Sequence, residues 1–449
     1  MIETYPQAYS FLYSFVSYEH KIGWNYSEKT LNLKRCRQFL QRLGDPQKEI
    51  RPIHVAGSDG KGSTCAMISA ALQAMGFRVG LFVSPHLEHV RERISINGQW
   101  ISEEDFARWT EFLRRRMEEM PPFPGGYATF FELLTAMAFL YFREQRIDFS
   151  VIETGLGGRL DSTNVMDPLV TAITHISLEH TEQLGDTLEK IADEKLGITR
   201  PNVPIVIGSQ DAALLPHFQR RLRKQQASVV FTDEGYRAVS LQNGRRYRTL
   251  SIEKVESGEK RIIQIPLFGH YQLQNVLTAI AVLDLMQEEG IVPPLASRTL
   301  HRGLRRLHWP GRFEIVRRTG KATVLLDVAH TAKGAASLRL SLDEIFPHKK
   351  RTFVIGCLQG KKISEMLESL IRPQDAVILT QAPSPRGETI ENILKAIDRL
   401  DWVAIHGRID NPVDAFRYAE AMTKKNGLLI VTGSLYLVGE IRKSLREKS

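Results

Sequence analysis

The segment AGSDGKGSTC, residues 56–65, restricts the fold more than any other stretch of this 449-residue chain. An apolar run, IRPIHVAG, leads into it, and STCAMISAALQAMG leaves it with helical spacing. A strand that turns through glycines into a helix opens an α/β unit and gathers backbone N–H groups at the helix N-terminus. Gly57, Gly60 and Gly62 permit a tight turn, Lys61 adds a point charge, and Ser63 or Thr64 can reach a phosphate or a metal-bound water. The loop is not the common G-x-x-x-x-G-K-[ST] form. That form needs glycine where Val55 stands and a hydroxyl where Gly62 follows Lys61. The plain alternative is a glycine-rich turn with a solvent lysine. A strand before, a helix after and a lysine among the glycines favour phosphate.

The first half continues to alternate strand and helix. FRVGLFVS, DFSVIETG, PLVTAITHI and PIVIGS are short apolar runs of the kind buried in parallel sheets. SEEDFARWTEFLRRRMEEM and TFFELLTAMAFLYFREQ read as helices around a Pro/Gly break at PPFPGG. Residues 227–266 change rhythm, with alternating strands and turns at 242–244 and 256–260 that predict a small antiparallel insert. The βα rhythm returns in ATVLLDVAH, RTFVIGC, DAVILTQ, WVAIHG and GLLIVTGS, beyond the stretch VPPLASRTLHRGLRRLHWPG. The expectation is an α/β chain in two parts. A P-loop-type ATPase domain with a parallel sheet and the insert covers residues 1–300, and a Rossmann-like α/β domain covers 301–449. Ligands belong at the carboxyl ends of the strands, in the cleft.

Composition narrows the partners. The 43% hydrophobic and 25% charged residues are ordinary globular values. No apolar run approaches the roughly 20 residues that cross a bilayer. MIETYPQAYSFLYSFVSYEH has an early acid and no basic leader, which does not fit a secretory signal. Cys36, Cys65 and Cys357 are too scattered for a disulfide framework or a zinc cluster, so a reduced, cytoplasmic protein is expected. The net charge of +9 raises nucleic acid as a partner. Yet the basic runs RRLRK (220–224), GRRYR (244–248) and HRGLRRLH (301–308) come without a zinc finger, an RRM signature or a basic tail. Solvated faces are expected, and a positive field equally suits a nucleotide or another polyanionic small substrate.

Several polar residues stand where apolar runs end. Glu153 closes a strand before the glycine-rich turn of SVIETGLGGRLDSTNV, where a carboxylate suits a Mg²⁺ ligand or a general base. Arg159, Asp161 and Asn164 follow, the last able to cap or to contact substrate. His180 sits at another strand end in THISLEHTEQLGDTLEKIADEKLGI, although a lone histidine is more often structural. Asp186 is the candidate N-cap of the next helix, with Leu188, Ile191 and Lys195 on one apolar face. A lysine there either snorkels off the edge or is desolvated and available for covalent chemistry, and spacing leaves both open. Gln272 and Asn275 lie near the start of a helix, Arg312 in a turn, and Asp327 and His330 at a strand end. Singly, each of these is an ordinary structural residue.

Together, in the order VAGSDGKGST, SPHL, TFFELLT, ETGLGGRLDSTN, EHTEQLGDTLEKIADEKLGI, GHYQLQN, WPGRFE, LLDVAH and TGSLYLVGE, the motifs resemble the folylpolyglutamate synthase/dihydrofolate synthase family of the Mur-ligase superfamily. The resemblance runs from about residue 30 to 440. It implies an ATP-dependent ligase that forms an amide between L-glutamate and a folate or dihydropteroate carboxylate through an acyl phosphate. Asp59, Gly60, Lys61, Gly62 and Ser63 match residues that hold ATP phosphates, and Asn275, Arg312 and Asp327 match contacts to ATP from the linker and C-terminal side. Ser84 and Glu153 would bind one Mg²⁺, with His180 and Lys195, as a carbamate, serving a second. Lys61, Glu153, His180 and Lys195 thus form the implied catalytic set. Thr129, Phe130, Phe131, Glu132, Leu160, Asp161 and Ser162 match the pterin-side pocket, and His330 falls on the substrate side. Small-molecule substrates, a monomer, and no nucleic-acid or membrane partner are expected.

Two other readings compete. One is a Mur-type ligase acting on a cell-wall or storage-polymer acceptor, against which TFFE and GLGGRLDSTN count; the other is a nucleic-acid-stimulated NTPase. The chain also departs from the family pattern. Ser58-Asp59 replaces Thr-Asn, Glu179 precedes His180 where Asp is usual, Thr331 follows His330 where Asn is common, and Gly360-Lys361-Lys362 replaces an Asp-Lys-Asp-like run.

Overall fold

A computed structural model describes the chain except residues 21–23, 25, 120–127, 245, 317–318 and 448–449, so the PPFPGG break lies outside the described residues. Strand β1 (Pro52–Ala56) is buried along its whole length and delivers the glycine loop to helix Lys61–Ala74. The other strands of its sheet are β2 (Val79–Phe82), β3 (Ile94–Ile96), β4 (Gln99–Trp100), β5 (Phe149–Glu153), β6 (Val170–Ile173), β7 (Ile205–Ile207) and β8 (Val229–Phe231). Their order is β4-β3-β2-β5-β1-β6-β7-β8. All neighbours pair parallel except β2–β3 and β3–β4. Because β1 lies between β5 and β6, the carboxyl ends at Ala56, Glu153 and Ile173 emerge side by side. Near-continuous apolar runs are what a sheet covered on both faces selects.

The insert forms as expected from β9 (Tyr236–Asn243), β10 (Arg248–Lys254) and β11 (Lys260–Ile265), all antiparallel. The run that opens residues 227–266 instead joins the main sheet as β8. Leu250, Ile252, Ile263 and Ile265 turn one face of the insert into a core shared with helices Gln272–Glu288 and Ser297–Arg305. The second of these helices lies so close to helix Lys61–Ala74 that a Cβ on Gly303 would sit 2.6 Å from the Ala70 carbonyl oxygen. The stretch after Val292 is therefore a packed part of this half, not a plain spacer.

A second sheet contains β12 (Glu314–Val316), β13 (Thr323–Leu326), β14 (Arg351–Ile355), β15 (Ala376–Leu379), β16 (Ala404–Arg408) and β17 (Leu428–Thr432), in the order β12-β13-β17-β14-β15-β16. Only β12 runs antiparallel. The α/β class is as expected. Among the described residues, no helix is long and apolar enough to cross a membrane. The three cysteines are free and buried.

One basic run departs from the expected solvated face. Arg220, Arg221, Arg223 and Lys224 are exposed, but Arg248 is buried. It donates to Ser240 Oγ (3.0 Å), the Phe268 carbonyl (3.1 Å) and Glu344 Oε1 (3.0 Å), tying the insert to helix Ala332–Ile345. A buried guanidinium needs partners on every side, and a long-range carboxylate supplies one of them. Glu88, in the loop after β2, makes a second such tie to Arg442 and Arg446 of helix Leu435–Arg446.

Candidate active site

Contacts from neighbouring strand ends shape the glycine loop. The Ser58 and Asp59 N–H groups donate to the His175 carbonyl at 2.9 and 3.1 Å, fastening the loop to the segment after β6. Gly60 has φ +86°, and a Cβ there would sit 2.0 Å from Asn275 Oδ1. Asn275 in turn donates to Gln272 Oε1 (2.9 Å), and Gln272 donates to Ser63 Oγ (3.3 Å). Asn275 thus stands directly behind the loop at the N-terminus of helix Lys61–Ala74. The Lys61 ammonium folds back onto the Gly57 and Ser58 carbonyls at 3.0 and 3.2 Å. Asp59, the carboxylate that departs from the family pattern, accepts from Ser177 Oγ at 2.8 Å. Its position is explained by that bond to the β6 side of the site.

Glu153 is 4% exposed, and its Oε2 accepts the Ser84 N–H at 3.0 Å. Burial pushes its carboxyl pKa up, opposed by Lys61, the Ser84 N–H and Arg312. A buried carboxylate beside a helix N-terminus fits a hard cation, which takes oxygen donors and fills its shell with phosphate oxygens and water. Among the described residues, no three His, Cys, Asp or Glu side chains converge to hold a metal by themselves. A hard cation beside Glu153 would complete its shell with oxygens of other residues, phosphate and water.

His180, at φ +49°, precedes the short helix Thr181–Leu184. Its surface reaches the cavity, but the surrounding walls desolvate the ring and lower its pKa to about 4; Glu179 opposes this, and Lys361, Lys195 and Lys61 reinforce it. Lys195 is 1% exposed and does not snorkel. It donates to the Gly57 carbonyl (2.7 Å) and to Glu179 Oε1 (3.3 Å). Burial lowers its pKa to about 8, with Glu179 opposing. The helix carrying it is Leu188–Leu196, and its N-cap is Thr187, not Asp186. Thr187 Oγ1 accepts from Lys190 N (3.3 Å), while Asp186 pairs with the Lys190 ammonium (2.7 Å).

These groups border a cavity of about 590 Å³. Of the residues singled out from sequence, Asp59 to Ser63, Ser84, Glu153, His180, Asn275, Arg312, Asp327 and His330 line it, as do Thr129, Phe131, Glu132, Leu160, Asp161 and Ser162. Two do not. Lys195 lies behind the loop, reaching it through Gly57 and Glu179. Phe130 belongs to the core, fully buried with its ring 4.6 Å from that of Tyr13 and Arg93 over its face. Adjacent helix residues point about 100° apart, so only Phe131 can face the cavity.

Several lining residues are also structural. Glu132 accepts the Thr129 N–H at 2.7 Å, capping its own helix, and pairs with buried Arg35 at 2.8 and 3.0 Å. Asp327 accepts from the Tyr271 hydroxyl, the Phe313 N–H and the Ala329 N–H at 2.8, 2.8 and 2.9 Å, while burial raises its pKa. His330 Nδ1 faces the Val328 carbonyl at 2.9 Å. Asn164 fastens two backbone segments, donating to the Arg159 and Gly197 carbonyls at 3.0 Å each, and it is absent from the cavity wall.

Sequence reasoning missed other contributors. Val16 to Glu19 and Trp24 line the cavity, with the Tyr18 and Trp24 rings 4.5 Å apart. His175 and Lys333 touch across the cleft. The aromatic density of the first 26 residues was the available signal for the former; nothing local marked the latter.

Residues 55–283 match the Mur ligase middle domain, and residues 313–446 match the C-terminal domain of dihydrofolate synthetase. Fold and site together define a Mur-ligase-type protein. The chain is 33% identical over 447 residues to the dihydrofolate synthase/folylpolyglutamate synthase of Bacillus subtilis, covering 96% of this chain and 100% of that one. The crystal structure of folylpolyglutamate synthase from Thermotoga maritima superposes with a TM-score of 0.81 at 31% identity, over 99% and 97% of the two chains. A folylpolyglutamate synthase in complex with AMPPCP and folate gives 0.81 at 26% identity, over 98% and 99%. The chain belongs to the dihydrofolate synthase/folylpolyglutamate synthase family.

Proposed function

We propose that this protein is an ATP-dependent ligase that joins the amine of L-glutamate to a folate carboxylate, with dihydropteroate as the second acceptor to test. The observation that carries the reading is the meeting of three parallel strand ends. They bring the Lys61 loop, Glu153 and the His175–His180 segment to one cavity, which Asp327 and His330 close from the second sheet.

A carboxylate resists attack by an amine, so the acceptor must first take a phosphoryl group from ATP and become an acyl phosphate. Lys61 and the N–H groups at the start of helix Lys61–Ala74 suit the ATP phosphates, with Asn275 fixing Gly60 behind them. Arg312 and Asp327 contribute from the other side of the cavity. Glu153 with Ser84, and His180 with Lys195 as a carbamate, would hold Mg²⁺, which when bound neutralises phosphate charge. CO₂ reacts only with a neutral amine, and the desolvation of Lys195 favours that form. Glutamate's nitrogen then attacks the acyl carbon and phosphate leaves. A cavity walled by both sheets' loops limits competing hydrolysis by water. Thr129, Phe131, Leu160 and Ser162 suit the pterin end of the acceptor.

A cytoplasmic monomer, its second domain beginning after helix Ser297–Arg305 and not at residue 301, completes the reading. A small anionic acceptor of this kind accounts for a positive field without a nucleic acid or a membrane. The test is ADP release. It should require both tetrahydrofolate and L-glutamate, and stimulation by DNA or RNA instead would reject the ligase reading.

A further inference from the structure

Strand β1 carries a histidine in the middle of an apolar run. His54 is fully buried, and its Nε2 lies 2.8 Å from Thr163 Oγ1. Thr163, also fully buried, donates to Asp161 Oδ1 through its hydroxyl at 2.5 Å and its backbone N–H at 3.0 Å. Asp161 Oδ2 accepts the Leu156 N–H at 2.9 Å, and the Gly155 N–H faces the same carboxylate.

The direction of this chain follows from hydrogen-bond chemistry. Burial raises the Asp161 pKa, but three backbone N–H groups converge on its oxygens and favour the carboxylate, an acceptor only. The single Thr163 hydroxyl proton thus points to Asp161, and the donor to Thr163 is His54 Nε2–H. The ring therefore carries its proton on Nε2. Its Nδ1 is buried with no hydrogen-bond partner among the described residues. A buried unpaired nitrogen is unfavourable, and its presence in a strand core calls for an explanation.

We infer that His54 is a positioning residue for the acceptor pocket, acting through Thr163 on Asp161 and the turn that Asp161 holds. That turn, Gly155–Leu156, directly follows Glu153-Thr154. A Cβ on Gly155 would lie 2.6 Å from the Phe131 ring, so the turn and the aromatic wall of the cavity fix each other's place. Leu156, Leu160, Asp161 and Ser162 continue the same wall. The nucleotide loop is anchored separately, through His175 and Ser177. A fault in the chain should therefore reach the acceptor and spare ATP. The inference rests on the assignment of this wall to the folate.

The experiment is steady-state kinetics with tetrahydrofolate, ATP and glutamate on His54→Leu, His54→Gln, Thr163→Val and the His54→Leu/Thr163→Val double variant. Loss of a buried hydrogen bond predicts that Thr163→Val raises the tetrahydrofolate KM about tenfold and leaves the ATP KM within about twofold. His54→Leu should move the same way. His54→Gln, whose amide N–H replaces Nε2–H, should restore the wild-type KM. The double variant should be no worse than Thr163→Val, because both break one chain. Should His54→Leu fail to fold, Thr163→Val and His54→Gln decide. Equal effects on both KM values, additive effects, or lowered thermal stability with unchanged KM would overturn the inference. Wild-type protein without tetrahydrofolate-dependent turnover would overturn the functional reading itself, whereas turnover with a flat KM across the variants rejects the relay alone.

Discussion

Lys195 Nζ lies 2.7 Å from the carbonyl oxygen of Gly57, so a helix side chain is pinned to the underside of a glycine loop 138 residues earlier in the chain. Glu179 flanks the same ammonium, and burial holds its pKa near 8. Intact-mass measurement of native protein in bicarbonate should show one added CO₂, lost in Lys195→Arg. The arginine variant keeps a charge but forms no carbamate, and kcat should fall by about 10²–10³-fold, the usual effect of removing one preorganised electrostatic group. A bare amine in the active protein would contradict the assignment.

Gly60 cannot accept a side chain without moving its surroundings. Its φ of +86° is unfavourable for other residues, and Asn275 Oδ1 occupies the place of a Cβ. Gly60→Ala should weaken ADP binding by about tenfold or more, since the strain and the collision together exceed roughly 1.4 kcal/mol. Calorimetric titration with ADP checks this, and unchanged affinity would mean that the loop does not hold the nucleotide.

His54 also predicts a pH dependence of stability. Burial, and to a lesser degree Arg200, lowers its pKa from 6.5 to about 3. Between those values the unfolded chain binds a proton that the folded chain does not, so stability falls as pH drops through that window. Replacement by Gln removes the titration and keeps the donor. Urea titrations at several pH values should show a slope shallower by up to ~1.4 kcal/mol per pH unit in His54→Gln. Identical slopes would contradict the buried neutral ring.

Glu88 carries the tie between the loop after β2 and helix Leu435–Arg446. Its side chain is 3% exposed, and Arg442 also contacts Glu314 at 3.0 Å. Glu88→Ala leaves a largely buried guanidinium short of one partner and should cost about 3 kcal/mol in denaturant titration. A change near zero would place this contact among the weak surface pairs.

Much of the fold was legible because its signals are local. β1, the glycine loop and the following helix occupy consecutive residues, and the insert shows itself by two-residue alternation. Glu153 stood out as a charge ending an apolar run. What stayed hidden depends on distant partners. Gly60 needs Asn275 from 215 positions later, Glu132 needs Arg35, and the buried state of Arg248 needs Glu344. Asp186 and Thr187 are both good caps, and the backbone at Gly185, with φ +107°, places the second one in position. TFFE contains two aromatic rings on different helix faces, and only the location of Tyr13 tells which is core.

The most direct test is ATP-dependent incorporation of labelled L-glutamate, followed separately with tetrahydrofolate and with dihydropteroate. The account predicts a labelled amide product with at least one of them, and one ADP released for each bond formed. Intact protein with Mg²⁺ that labels neither acceptor would contradict it.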